Sequence, residues 1–73
     1  MRRYSVVLSP EPDGSAYNVT VPTLPGCFTF GATAAEALEN AREAVAGHVA
    51  ALEQEGLPVP EERAAAEVAL VEV

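Results

Sequence analysis

Val21-Pro22-Thr23-Leu24-Pro25-Gly26-Cys27-Phe28-Thr29-Phe30-Gly31-Ala32-Thr33-Ala34-Ala35-Glu36-Ala37 packs a strand end, a proline–glycine turn, a short apolar strand and a helix start into seventeen residues. Pro22 lacks the N–H that a central ladder needs, so it ends the strand before it. Pro25 followed by Gly26 is the order a type II turn demands, because its second central residue has positive φ. Cys27 to Phe30 is short, apolar and β-prone and reads as a strand, with Gly31 closing it. Thr33 is a good N-cap. Glu36, three residues on, is placed to reach back to the cap N–H in a Thr-x-x-Glu capping box.

Upstream, two runs alternate. Residues 2–9 read as a first strand whose Tyr4, Val6 and Leu8 face a core, with Val7 on the opposite side. Pro10-Glu11-Pro12-Asp13-Gly14 breaks the chain, since the prolines donate nothing to a ladder and Asp-Gly favours a turn. Tyr17, Val19 and Val21 then alternate with Asn18 and Thr20, so the two runs form an antiparallel hairpin.

Downstream, Ala34, Leu38, Ala41, Val45, Val49 and Leu52 recur at spacings of three and four, and Glu36, Glu39, Arg42 and Glu43 lie largely off that stripe. The pattern predicts one helix over about residues 34–55, ended by Gly56 and kept from resuming by Pro58 and Pro60. Residues 61–66 have helix propensity, and residues 68–73 read as a final strand with a nearly continuous apolar run. The predicted order is β-β-β-α-β: a two-layer α+β fold with one long helix on a four-stranded sheet. Strand order 3-2-1-4 satisfies a right-handed crossover. The sheet face away from the helix, which carries Val7, is left uncovered and is a candidate contact surface.

The 73 residues suit one domain, and a chain of this size buries only about 60 % of its unfolded surface. A core that small contributes about 3–5 kcal/mol unaided. The single cysteine makes no internal disulfide, so association into a homo-oligomer is the expected support. The net charge of −7, with no lysine, repels phosphate backbones and disfavours direct nucleic-acid binding. No run of 18 apolar residues occurs, and the apolar stretch after Arg2-Arg3 is too short for a signal peptide, so a cytoplasmic protein is expected.

No catalytic constellation is assembled. His48 is the only histidine, with no Cys or Asp at metal-ligand spacing, and reads as a helix-flank residue. Cys27 reads as a small strand hydrophobe. Ser5, Ser9 and Ser15 lack a nucleophile-elbow context, and the glycines form no phosphate cradle. Glu61-Glu62 reads as a solvated pair. No enzymatic activity, metal or cofactor is expected.

The motifs nevertheless form a pattern. Tyr4-x-Val6-Val7-Leu8, Pro12-Asp13-Gly14, Tyr17-x-Val19-x-Val21-Pro22-x-Leu24-Pro25-Gly26-Cys27-x-Thr29-x-Gly31-x-Thr33-x-x-Glu36-Ala37, then Asn40-Ala41 and Glu43-Ala44, resembles the HicB family of antitoxins over residues 4–52, with Leu57-Pro58-x-Pro60 also typical. The resemblance implies the antitoxin half of a type II toxin–antitoxin pair. It implies a partial RNase H-like fold and a small basic partner, the mRNA interferase HicA. RNase H chemistry needs clustered carboxylates beginning on the first strand, and residues 2–9 contain no acid, so the scaffold reads as catalytically empty. Many members carry a C-terminal DNA-binding domain. Residues 1–73 resemble the short single-domain form, which puts operator binding in doubt.

The leading expectation is therefore a protein that binds and neutralises a basic toxin. The alternative is an orphan homo-oligomeric regulatory or ligand-binding domain. Val7, Leu24, Phe28, Glu39 and Glu43 are the contact candidates, spread over the uncovered sheet face, the Pro22–Gly26 turn and the acidic helix flank. The turn is directly testable. Gly26→Val forces a β-branched residue into positive φ and lowers stability by about 1–3 kcal/mol. An unchanged melting temperature shows that the turn is not type II.

Overall fold

The computed structural model describes residues 2–62 and 71–72. Three antiparallel strands, β1 (Val7–Pro10), β2 (Tyr17–Thr20) and β3 (Phe28–Gly31), precede one helix, α1 (Ala34–Gln54). The sheet order is β1-β2-β3, which agrees with the first three places of the expected order. The fourth strand expected at residues 68–73 and the helical turn expected at 61–66 fall largely outside the described residues. Glu61-Glu62 and Val71-Glu72 carry no helix or strand.

β1 is shorter than residues 2–9. Val7 pairs with Thr20, the last residue of β2, and Pro22 then turns the chain away, so the β1–β2 ladder stops there. Tyr4 and Val6 still pack on the core without being laddered. The hairpin closes through Glu11 N–H to the Ala16 carbonyl (2.9 Å) and Gly14 N–H to the Glu11 carbonyl (2.9 Å).

The 21–27 loop consists of two consecutive turns. Leu24 N–H donates to the Val21 carbonyl (3.0 Å), and Cys27 N–H donates to the Leu24 carbonyl (2.9 Å). Val21 N–H then closes the loop on the Cys27 carbonyl (3.1 Å). In the second turn Gly26 stands at φ +84°, the type II geometry read from Pro25-Gly26. Neither Pro22 nor Pro25 is asked to donate, so the absence of their N–H groups leaves nothing unpaired.

Thr33 caps α1 in extended geometry, accepting the Glu36 N–H on Oγ1 at 3.1 Å. Only that half of the capping box closes, and Glu36 is exposed instead of being held at the cap. The helix ends in a Schellman motif: Gly56 N–H to the Glu53 carbonyl (3.1 Å) and Leu57 N–H to the Leu52 carbonyl (2.9 Å).

The buried face of α1 follows the expected stripe at Ala41, Val45 and Val49 but departs from it in the first turns. Ala37 and Ala41 are buried, whereas Ala34 and Leu38 are exposed. The cause is Gly31. A Cβ placed on Gly31 would lie 2.4 Å from Ala37 N and 2.7 Å from Ala37 Cα, so helix and strand backbones meet there. Gly31 is thus a point of main-chain contact between strand and helix and not merely a strand end. Two small clusters result. Val19, Ala37 and Ala41 pack with Val6, Leu8 and Tyr17. Val21, Leu24 and Cys27 pack with Tyr4, Val6, Ala44, Val45 and Val49.

Gly31→Ala is expected to push α1 off the sheet and lower stability by about 1–3 kcal/mol. Because φ at Gly31 is not positive, the loss isolates overpacking from backbone strain. Thermal unfolding of Gly31→Ala beside Gly47→Ala, whose added Cβ meets no atom within 4 Å, checks it.

Candidate partner-binding surface

The strand alternation sorts side chains onto two faces. On β3, Thr29 and Gly31 face the helix, and Phe28 and Phe30 face away. The register aligns Val7, Thr20 and Phe28 in one row across the outer face, and Ser9, Asn18 and Phe30 in the next. No residue in either row is charged. Phe28 is 73 % exposed and Phe30 67 %, while Val7 is half-buried. Large exposed aromatics side by side on a sheet mark a contact surface more often than a solvated one.

The other contact candidates fall elsewhere. Leu24 is 1 % exposed and fills the second cluster, so the proline–glycine turn points its large side chain inward. Pro22, Pro25 and Gly26 form the outer skin of that turn, and Cys27 is buried beside Leu24. Glu39 and Glu43 are exposed and one turn apart on α1. Gly31, Thr33 and Ala37 make the strand-to-helix junction, and Glu36 gives only its N–H to the Thr33 cap while its side chain stays exposed.

Phe30 and Asn40 were not singled out from the sequence as contact or positioning residues. Cys27 to Phe30 looked uniformly apolar, yet its period of two, with small residues at 27, 29 and 31, already separates the phenyl rings from the core. Asn40 Nδ2 donates to the Phe30 carbonyl at 2.8 Å and ties α1 to β3.

A groove of about 520 Å³ runs on the other side of α1, lined by Arg2, Tyr4, Leu38, Arg42, Val45 and Val49 among others. It is open and largely apolar, and the described titratable groups on it are spread along its length. Among the described residues no set of three His, Cys, Asp or Glu side chains is grouped to hold a metal. Burial pushes the Cys27 thiol above its ordinary range, which keeps it protonated and opposes nucleophilic use.

Glu62 departs from the solvated reading. Its Oε1 accepts Thr23 Oγ1–H at 2.6 Å and Ser5 N–H at 3.4 Å. The bond from Thr23 is the main reason its carboxyl sits below the usual carboxylate range. Tyr4 Oη donates to the Pro60 carbonyl at 2.6 Å beside it. The connector after α1 therefore clasps both the N-terminal segment and the 21–27 loop. No local pattern in the sequence signals bonds spanning 39 to 57 positions.

The described residues form an α+β unit whose outer sheet face presents the exposed Phe28 and Phe30. The comparisons with known proteins carry this further. Residues 4–71 match the family model described as "HicB_like antitoxin of bacterial toxin-antitoxin system". The chain is 40 % identical over 62 residues to UPF0150 protein Ta0767 of Thermoplasma acidophilum, covering 85 % of this chain and 88 % of that protein. It is 41 % identical over 59 residues to UPF0150 protein ssr1765 of Synechocystis, covering 81 % and 73 %. An uncharacterized 14.9 kDa protein of Haemophilus phage HP1 is 37 % identical over 57 residues, and there the chain spans 41 % of the relative's length. The crystal structure of the N-terminal domain of Burkholderia pseudomallei antitoxin HicB superposes with a TM-score of 0.70 at 38 % identity, covering 88 % of this chain and 72 % of that one.

The chain belongs to the HicB-like antitoxin family of bacterial toxin–antitoxin systems. Its three antiparallel strands and one helix are the arrangement shared with that antitoxin domain.

The Glu62 clasp gives a pH test. A carboxyl held low in the fold contributes stability that is full above its unfolded pKa of about 4.3 and is lost as pH falls through the folded value. Wild type should lose more melting temperature between about pH 5 and about pH 3 than Glu62→Gln does. At neutral pH Glu62→Gln should melt lower than wild type. Parallel pH profiles of the two proteins disprove the clasp.

Proposed function

We propose that this chain is a non-enzymatic antitoxin that binds a small basic RNA-cleaving toxin of the HicA type and blocks it. The match of residues 4–71 to the antitoxin family, joined to 38 % identity with a solved antitoxin domain, carries this reading. The net charge of −7 supports it, since an acidic surface attracts a basic protein and speeds its encounter. On this reading residues 1–73 act as one domain in the cytoplasm. The partial RNase H-like scaffold serves only for binding.

The exposed Phe28 and Phe30 also favour a second reading, in which the chain is an orphan homo-oligomeric regulator that covers this face with another copy. Among the described residues no helix is long and apolar enough to cross a membrane.

The experiment uses the product of a short basic reading frame beside this chain's gene. Cleavage of an RNA by that product is measured with and without the purified chain. Suppression of cleavage at about one chain per toxin supports the antitoxin reading, as tight complexes titrate near equivalence. Full cleavage at saturating chain, together with a concentration-dependent dimer in sedimentation, selects the orphan reading.

A further inference from the structure

The ladder on β3 shows which backbone groups are already used. Hydrogen-bonded and non-bonded pairs alternate along an antiparallel ladder. Val21 N–H bonds the Cys27 carbonyl, so the next bonded pairs are Val19 with Thr29 and Tyr17 with Gly31. The N–H and C=O groups of Phe28 and Phe30 therefore turn toward the far edge of β3. The Asn40 bond to the Phe30 carbonyl, made from outside the sheet, agrees with that direction. β3 ends the sheet order, and no described strand lies beyond it.

Edge strands in soluble proteins are ordinarily blunted by lysine, proline, a bulge or an inward charge. Phe28-Thr29-Phe30-Gly31 has none of these. Its outward side chains are two exposed phenyl rings spaced two residues apart, each able to bury about 150–250 Å². With the Phe30 carbonyl held by Asn40, the edge thus offers the Phe28 N–H and C=O and the Phe30 N–H to an added strand, and an aromatic platform beside them.

The charge beside this edge selects the occupant. Asn40 fixes one side of α1 against β3, and Glu36 and Glu43, four residues before it and three after, share that side. Glu39 lies one turn from each, and all three are exposed. Arg2 and Arg42, by contrast, line the groove on the other side of the helix. A second copy of the chain docking here would bring two such acidic flanks together, and nucleic acid would meet them as a like charge. A basic polypeptide meets both an apolar edge and a counter-charge.

We propose that the free edge and outer face of β3, with Phe28 and Phe30 as anchors and Glu36, Glu39 and Glu43 as the charged rim, dock an extended segment of a basic protein partner by strand addition. The proposal rests on the antitoxin reading and names the surface that reading leaves open.

The probe is a purified small basic toxin of the HicA type, titrated against wild type and three double variants of residues 1–73. Phe28→Ser with Phe30→Ser removes the anchors and should weaken binding about thirtyfold or more. Glu39→Lys with Glu43→Lys should weaken it about tenfold, mainly through slower association, and flatten its salt dependence. Glu53→Lys with Glu55→Lys carries the same charge change at the far end of α1 and should cost less than about threefold. Melting curves check that each variant is folded, and the helix-surface pair keeps the test informative if the phenylalanine pair unfolds. Binding by wild type that the phenylalanine and Glu39/Glu43 pairs leave within about twofold places the contact elsewhere and overturns the proposal, while the antitoxin reading survives. No binding by wild type overturns both. Loss of self-association in the phenylalanine variant, with probe affinity intact, assigns the edge to a second copy and also overturns the proposal.

Discussion

The fold depends on how closely α1 can lie on β3. At Gly31 the space a side chain would need is taken by the backbone of Ala37, so strand and helix are in direct main-chain contact. Only Ala32 and Thr33 separate β3 from α1, and the Thr33 cap starts the helix almost at the contact point. Along α1, Ala37 and Ala41 pack with Val19, and Ala44, Val45 and Val49 pack against Val21, Leu24 and Cys27.

The same constraint separates scaffold from surface in the family pattern. Pro22, Leu24, Pro25, Gly26 and Cys27 look like a functional loop because so many special residues are concentrated there. Their geometry shows a double turn that delivers Leu24 and Cys27 into the cluster beneath Ala44, Val45 and Val49. Phe28 and Phe30 carry no unusual backbone requirement, yet they are among the largest apolar side chains left in solvent. The contact surface we propose therefore lies next to the signature residues and not on them.

Local physics accounts for what the sequence disclosed. The hairpin, the type II turn at Gly26, the Thr33 cap and the Gly56 stop are each decided by residues within a few positions of one another. Their boundaries are read correctly to within a residue or two, apart from the early start given to β1. The helix phase was legible from Ala41 onward, where Ala41, Val45 and Val49 pack inward as the stripe predicts, but not in the first turns. Leu38 outranks Ala37 on any hydrophobic scale, and only the distance to Gly31 reverses that order. Leu24 likewise looks like an exposed turn residue until the closure of Val21 on Cys27 directs it inward. Of the contact candidates, Val7 and Phe28 share a row of the outer face, Glu39 and Glu43 share a helix flank, and Leu24 belongs to the core. Their grouping follows from strand register, which depends on pairings along the whole sheet.

The clasp formed by Pro60 and Glu62 bears on when the molecule can be complete. Tyr4, Ser5 and Thr23 are made early in synthesis, but their partners lie 56, 57 and 39 positions further on. The hairpin, the double turn and most of α1 can assemble on a growing chain before those partners leave the ribosome. The N-terminal segment cannot be fastened until then. Among the described side-chain bonds, those that hold the first residues are thus the ones whose partners are made latest.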